Sequence, residues 1–497
     1  MSFADGRRKR QVVPRWRPWR VTTRLGLADS REGVRVVPSP DTQSVAQRLD
    51  DWTRHGDAFH AGDLLGTAFG VGCEDRARHA AEAVLKESYR RTPAPLRLLA
   101  ERILNGETPL PSTPLDLDAG ARHARIHNLK ARLRAWPNDA LAHIDLAREY
   151  TILGQRSRAV RPVITALAQA PGSPFVIRSA ARFFLNDGDH ERALSVVRRA
   201  PNLQADPWLL SAEVAISDAA GRATRFAKAA RSLLSRGAFS PKHLSELACA
   251  LATIELESGN RRLARKLFVT GLENPTENAA AQAEWAFGEI DNLAVATQVA
   301  PERSYEAEAL SHLGRGEWDL AIENARLWRL DEPFSARSAY FGSWTASVVR
   351  DDAELALQFA NLGLSTKPKD KLLLNNKAVA LALLGRPIEA RQALQLISPA
   401  DLQDGLEATY VATQGLIEYR CGQPEVARAL YESARELTRK RKNAREEAWS
   451  MLFQAREERR FDASAAVRLV SDARERIKLL RPREAAVAGR LLEIVSL

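Results

Sequence analysis

An internal repeat of 34 residues constrains the fold of this 497-residue chain more than any other feature of its sequence. Residues 140–173 and 174–207 carry small, basic and apolar side chains at matching positions. A period of this length indicates a stack of similar units, each burying its apolar faces on its neighbours. The matched pairs are Ala147/Ala181, Arg148/Arg182, Gly154/Gly188, Arg158/Arg192, Ala159/Ala193, Val163/Val197 and Ala166/Ala200, with Tyr150 matched by Phe184.

Each unit has the pattern of two helices joined by a turn. In the first unit an apolar helix carries Ala147 and Tyr150 and ends at Gly154. Glycine suits that position because a helix C-terminus often needs a positive φ. A second helix carries the small residue Ala159, where two backbones can approach closely, and it ends before Pro171, which cannot continue a helix.

This order of landmarks resembles the tetratricopeptide repeat. The clearest copy is "KLLLNNKAVALALLGRPIEARQALQLISP", with Ala378, Gly385, Ala390 and Pro399 in the expected order. Good copies extend from residue 140 to about residue 439, and weaker ones occupy 208–240, 279–301 and 337–368. The other good copies include "EALSHLGRGEWDLAIENARLWRLDEP", "GLIEYRCGQPEVARALYESA" and "CALATIELESGNRRLARKLFVTGLENP".

The resemblance implies an all-α, right-handed superhelical α-solenoid of antiparallel helix pairs, with about eight to ten repeats. Polar helices are expected at the ends, because each repeat buries its faces only on its neighbours. We predict four segments: a basic Arg/Trp-containing arm at 1–40, a divergent helical region at 41–136, the repeat array at 137–443 and capping helices at 444–497.

In this family the first helix of each pair lines a concave groove that binds an extended peptide or a helix of a partner protein. The resemblance implies the groove residues Asp145, Arg148, Arg178, Arg182, Asn375 and Asn376. Because a guanidinium pairs with a carboxylate through two parallel hydrogen bonds, the three arginines predict an acidic peptide or a C-terminal carboxylate as ligand. A solvated inner face without a ligand is the alternative.

The N-terminal stretch "RRKRQVVPRWRPWR" at residues 7–20 holds six arginines and one lysine beside two tryptophans. Residues 1–40 contain ten basic and three acidic residues, and so carry +7 of the net charge of +11. Pro14 and Pro18 favour an extended chain and break any amphipathic helix. Trp and Arg are enriched at interface hot spots. The residues predicted to form an arm that docks a second partner are Arg15, Trp16, Arg17, Trp19 and Arg20.

Three other interpretations of this stretch stay open: a flexible tail, a nuclear signal at "RRKR", and a nucleic-acid-binding arm. The last is the second choice, because Arg pairs with phosphate and Trp stacks on bases. The rest of the chain is close to neutral. A second basic run, "LTRKRKNAR" at 437–445, is predicted to be an exposed linker between helices.

Motifs for catalysis and metal binding are weak. His123 and His127 are one helical turn apart, but neither an HExxH glutamate nor a third ligand accompanies them. Cys73, Cys249 and Cys421 lie too far apart for a disulfide framework or a zinc pattern. We therefore predict a non-catalytic scaffold, adaptor or regulatory subunit that uses no cofactor and no metal ion.

The basic N-terminus is not followed by the apolar run of a signal peptide, and no stretch is apolar enough to span a membrane. These features predict a cytoplasmic protein that does not enter the membrane. The abundance of Arg and Ala suggests a bacterial source.

Overall fold

The computed structural model describes residues 10–17, 42–70, 74–86, 94–105, 119–236, 238–287, 301, 304–398, 402 and 406–496. Across these residues the chain forms helices joined by short turns, with no strand among them. No helix in the described ranges combines the length and the apolar character needed to cross a membrane.

The chain divides into two compact units, of which the smaller is Val21–Thr113. Its apolar core consists mainly of alanine and leucine, including Leu64, Leu65, Ala80 and Ala81. Its described helices are α1 (Thr42–His55), α2 (Ala58–Gly70), α3 (Arg78–Leu85) and α4 (Ala94–Asn105), with a 3₁₀ turn at Glu74–Ala77.

The larger unit combines Met1–Arg20 with Pro114–Leu497. It contains the repeat array, in which consecutive helices pack side by side. Its helices are α5 (Ala119–Ala135), α6 (Ala140–Ile152), α7 (Arg156–Gln169), α8 (Pro174–Asn186), α9 (His190–Arg198), α10 (Pro207–Ala219), α11 (Ala227–Ser235), α12 (Pro241–Glu257), α13 (Arg261–Gly271), α14 (Glu277–Phe287), α15 (Tyr305–Arg315), α16 (Trp318–Asp331), α17 (Ala336–Thr345), α18 (Ala353–Thr366), α19 (Lys371–Leu383), α20 (Pro387–Gln395), α21 (Leu406–Arg420), α22 (Pro424–Lys440), α23 (Ala444–Glu458), α24 (Ala463–Ile477) and α25 (Pro482–Ser496).

Side chains at the turns define where many of the helices begin. Asp139 accepts a hydrogen bond from the Ala142 backbone N–H at the start of α6, and Asp370 accepts two at the start of α19. Such caps satisfy backbone donors that a helix N-terminus leaves without partners. The alternation of capping residue, apolar helix and turn therefore repeats along the array.

The turn between the two helices of a pair usually contains a residue with left-handed backbone conformation. In the majority of the described pairs this residue is glycine, as at Gly154 with φ 68° and Gly385 with φ 74°. The pair α17–α18 differs, because a π-helical stretch at Ala346–Arg350 extends α17 and Asp351 adopts φ 58°. That exception explains why residues 337–368 match the sequence repeat weakly.

Helices far apart in the sequence come together within the larger unit. Thr366 Oγ1, at the end of α18, donates a hydrogen bond of 3.1 Å to the Ile152 carbonyl at the end of α6. The Arg483 guanidinium of α25 donates to Glu284 in α14, at 2.9 Å to its carbonyl and 3.1 Å to its carboxylate. The array therefore coils far enough to bring these distant helices into contact.

The predicted all-α solenoid of helix pairs is confirmed. Helix α5 precedes the predicted start of the array at residue 137 but lies in the larger unit.

The linker between helices predicted at 437–445 is shorter than expected: these residues form the end of α22, a three-residue turn and the start of α23, and only some of them are exposed. The arginines of this run are paired: Arg439 with Glu447 at 2.8 Å, Arg441 with Glu407 at 3.5 Å and Arg445 with Glu484 at 3.0 Å.

Candidate functional site

Residues 10–17 of the N-terminal stretch lie inside the larger unit. They form neither helix nor turn, and every second residue is buried, which is the pattern of an extended chain. The buried residues are Arg10, Val12, Pro14 and Trp16. We call residues 10–17 the inner segment, and we call the surface that holds it the inner groove, formed by Arg148, Arg182, Phe183, Asn278, Gln282, Glu306, Asp331, Glu332 and Phe334.

Trp16 is the hydrophobic anchor of the inner segment. Its side chain has no exposed surface, and its ring centroid lies 6.1 Å from that of Phe183 and 5.3 Å from that of Phe334. The guanidinium groups of Arg148 and Arg182 lie over the Phe334 ring, at 5.8 and 5.4 Å from its centroid. The indole therefore fills a pocket lined by aromatic rings and arginine side chains, and it belongs to the main apolar core of the unit.

Three groove side chains bind main-chain carbonyls of the inner segment. Gln282 Nε2 donates to the Arg10 carbonyl at 2.7 Å, and Asn278 Nδ2 donates to the Val13 carbonyl at 2.8 Å. Arg148 Nε donates to the Trp16 carbonyl at 3.1 Å. These bonds recognise an extended backbone rather than particular side chains.

The Arg10 guanidinium is bound on all sides and is almost fully buried. It donates two hydrogen bonds to the Glu306 carboxylate, at 3.0 and 2.9 Å. It also donates to the side-chain oxygens of Gln282 and Asn278, each at 2.8 Å. Such a bidentate arrangement is the strongest form of an Arg–carboxylate contact.

The other two arginines of the inner segment also bind carboxylates of the groove. Arg15 forms ion pairs with both Glu306 and Glu332. Arg17 donates to Asp331 at 2.6 Å, at the end of α16. Opposite charge therefore holds the segment at several points along its length.

Glu306 is the centre of this network, with a side chain only 1% exposed. Burial alone would raise the pKa of its carboxyl, but arginines outweigh burial and hold the pKa well below its ordinary value of 4.5. In order of effect, these arginines are Arg10, Arg337 and Arg15. The pKa of Glu332 is also lowered, since Arg15 and Arg182 outweigh its burial. Both carboxylates stay ionised at neutral pH.

The predicted groove residues divide into two groups. Arg148 and Arg182 lie in the inner groove, as described. Arg178 instead donates to Glu246 at 2.7 Å and to the Trp208 carbonyl at 3.0 Å, so it links neighbouring repeats. Asp145 is half-buried on the same helix as Arg148.

The two asparagines are buried between neighbouring helices. Asn376 Nδ2 donates to Ser343 Oγ at 2.8 Å, and Asn375 Oδ1 accepts from Thr413 Oγ1 at 2.9 Å. Both amides thus bind side chains of adjacent repeats rather than the inner segment.

The surplus of positive charge expected from the groove arginines is absent. Arg148 has Glu149 at 3.6 Å, Arg178 has Glu246 at 2.7 Å, and Arg182 has Glu332 at 3.9 Å. The fold places a carboxylate beside each of these arginines, so they do not form the cationic surface on which the prediction of an acidic ligand depends.

Only part of the predicted docking arm lies within the residues that the structure describes. Arg15, Trp16 and Arg17 contact the groove of their own chain, whereas Trp19 and Arg20 lie outside the described residues. In this position Trp16 presents no face on which a nucleic-acid base can stack.

Sequence reasoning missed Asn278, Gln282, Glu306 and Glu332. Asn278 and Gln282 are four residues apart in "ENAAAQAEWAF", where they are polar exceptions on an alanine-rich helix. The four-residue spacing of these two polar side chains is a detectable signal, but it lies at the edge of the weak repeat copy at 279–301. Glu332 follows α16 in a turn, where no periodic pattern marks it.

Histidines do not form a metal site among the described residues, where no group of three or more His, Cys, Asp or Glu side chains is placed to hold an ion. His123 and His127 are exposed on α5. His55 and His60 stack with ring centroids 4.4 Å apart in the smaller unit.

Comparison with known proteins finds similar structures but no similar sequence. No protein-family model matches the chain, and no curated protein matches it. The crystal structure of the APC/C hetero-tetramer Cut9–Hcn1 is similar over 91% of this chain and 92% of that chain, with 12% identity and a TM-score of 0.39. Yeast Tom70 covers 88% of this chain and 95% of its own, with 12% identity and a TM-score of 0.30. The structure of Naa15/Naa10 bound to HypK-THB covers 87% and 80%, with 12% identity and a TM-score of 0.24.

Replacing Trp16 tests whether the inner segment is anchored as described. Trp16→Ala removes a fully buried side chain and is expected to lower the free energy of unfolding by up to about 3–5 kcal/mol. It should also speed tryptic cleavage after Arg15, measured by mass spectrometry. The matched control is Trp136→Ala, because Trp136 is 66% exposed and its loss should cost less than about 0.5 kcal/mol. Equal effects of the two substitutions would contradict the anchoring role.

Replacing Glu306 tests the charge network through its pH dependence. Glu306→Gln leaves buried arginines without their carboxylate and should cost about 3–5 kcal/mol at pH 7. Because folding lowers the pKa of Glu306, its stabilising effect is complete above its ordinary pKa of 4.5 and is lost as the pH falls below that value. Urea unfolding should therefore show a constant difference from pH 6 to 8 that shrinks below about pH 4.5. A difference that stays unchanged down to pH 3 would refute this assignment.

Proposed function

We propose that this chain is a non-catalytic scaffold or adaptor whose inner groove binds an extended segment of a partner protein. The observation that carries the proposal is the way the groove holds residues 10–17. It binds three main-chain carbonyls and an aromatic anchor, and both are features of a peptide-binding surface.

Charge indicates which kind of segment the groove suits. Without the inner segment, four carboxylates of the groove region face the three nearby arginines Arg148, Arg182 and Arg337, an excess of one negative charge. A basic segment compensates this excess, whereas an acidic one adds to it. We therefore propose a basic partner segment in place of the acidic one expected from the arginines alone. The four carboxylates are Glu277, Glu306, Asp331 and Glu332.

The proposal is tested with a peptide supplied in trans. In the full chain carrying Arg15→Ala and Trp16→Ala, the inner segment has lost its anchor and one ion-pairing arginine. A labelled peptide of residues 7–20, RRKRQVVPRWRPWR, should then bind this variant, and fluorescence anisotropy gives its Kd. A scrambled peptide of the same composition should bind at least about tenfold more weakly, because charge alone does not fill the tryptophan pocket.

Two further substitutions locate the binding surface. Adding Glu306→Lys should weaken binding at least about tenfold, since it reverses a buried charge at the centre of the groove. Adding Glu475→Lys changes the charge of the chain equally, but at a side chain that is 68% exposed on α24, and it should leave the Kd unchanged. Absence of binding, or equal loss from both substitutions, would contradict a peptide-binding groove.

A further inference from the structure

We propose that the inner segment is a built-in competitor, which occupies the groove until a partner segment with the same alternating chemistry displaces it. This inference rests on the proposed function. It adds the sequence pattern that the partner segment must carry and the way in which the inner segment controls access to the groove. The pattern is an arginine, an aliphatic residue, a proline and a tryptophan at every second position, as in Arg10, Val12, Pro14 and Trp16.

The alternation follows from the contacts. An extended chain points successive side chains in opposite directions, so a single buried face repeats every two residues. Arg10 reaches the Glu306 carboxylate and Trp16 reaches the Phe183–Phe334 pocket, six residues further along. Between them, Val12 is 1% exposed and Pro14 is buried. A competing segment must match these four positions to make the same contacts.

The carbonyl contacts permit such an exchange. Asn278 and Gln282 bind the backbone at Val13 and Arg10, and every polypeptide offers carbonyls with the same spacing. The specific information therefore lies in the four buried side chains and in the ion pairs of Arg15 and Arg17. A partner that provides them can replace the inner segment bond for bond.

The connection of the inner segment to the array also suits a tethered ligand. Between Arg20 and Pro114 the sequence passes through the separate unit Val21–Thr113. The segment is therefore joined to the array by a long stretch of chain and is held in the groove by its non-covalent contacts. A tether raises the local concentration of the segment, so it competes strongly even if its intrinsic affinity is modest.

The test compares the affinity of four full-length chains for the same labelled peptide of residues 7–20. In the wild type the inner segment must leave the groove before the peptide can bind. The apparent Kd of the peptide therefore equals its intrinsic Kd divided by the fraction of chains whose groove is empty. We expect the Arg15→Ala/Trp16→Ala chain to bind at least about tenfold more tightly than the wild type. Arg15→Ala/Arg17→Ala keeps the core tryptophan and should also bind more tightly. Trp136→Ala, outside the groove, should match the wild type.

Each outcome decides a different claim. Tight binding by both arm variants and weak binding by the wild type supports competition. Equal Kd values for wild type and variants would overturn competition but leave the peptide-binding groove intact. No binding by any chain, with helical circular dichroism retained, would overturn both proposals and make residues 10–17 a permanent part of the core.

The pattern is tested with substituted peptides on the Arg15→Ala/Trp16→Ala chain. Changing the peptide at the positions of Arg10, Val12 or Trp16 to alanine should weaken binding several-fold or more. The same change at the half-buried positions of Gln11 and Val13 should have little effect. Equal losses at all positions would refute the alternating pattern.

Discussion

The contact on which the inner groove depends is the ion pair between Arg10 and Glu306. Glu306 is buried at the start of α15, and an isolated carboxylate in that position would be costly. Two arginines of the inner segment, together with Arg337 of the array, offset this cost. The arginines of the N-terminal segment therefore neutralise a carboxylate that lies nearly 300 residues away in the sequence.

The contacts of the inner segment give the basic N-terminus a different role from the one its composition indicates. By composition, the stretch at residues 7–20 resembles a nucleic-acid arm or a solvated tail. Its arginines instead bind carboxylates inside the helical array, and Trp16 packs with Phe183 and Phe334 as part of the core. The basic inner segment and the carboxylates of the groove thus form one interface. The sequence of either part does not show that the other part binds it.

The architecture was predictable from the sequence because it depends on local signals. Turn glycines such as Gly154, small residues such as Ala159 and the 34-residue spacing each act within one repeat. The site was predictable only in part: Arg148, Arg182 and Trp16 were identified, but Glu306 and Glu332 were not. Their roles arise from the coiling of the array, which brings α6, α8, α14 and α15 around one segment. No local pattern encodes that convergence.

Site-specific photo-crosslinking tests the position of the inner segment most directly. A small diazirine-bearing aliphatic amino acid at position 13 of the full chain would lie beside Asn278, whose amide is 2.8 Å from the Val13 carbonyl. We predict crosslinks within one chain to peptides containing Asn278, with a yield independent of protein concentration. Crosslinks to other regions, or crosslinked dimers whose yield rises with concentration, would contradict occupation of the groove by its own N-terminal segment.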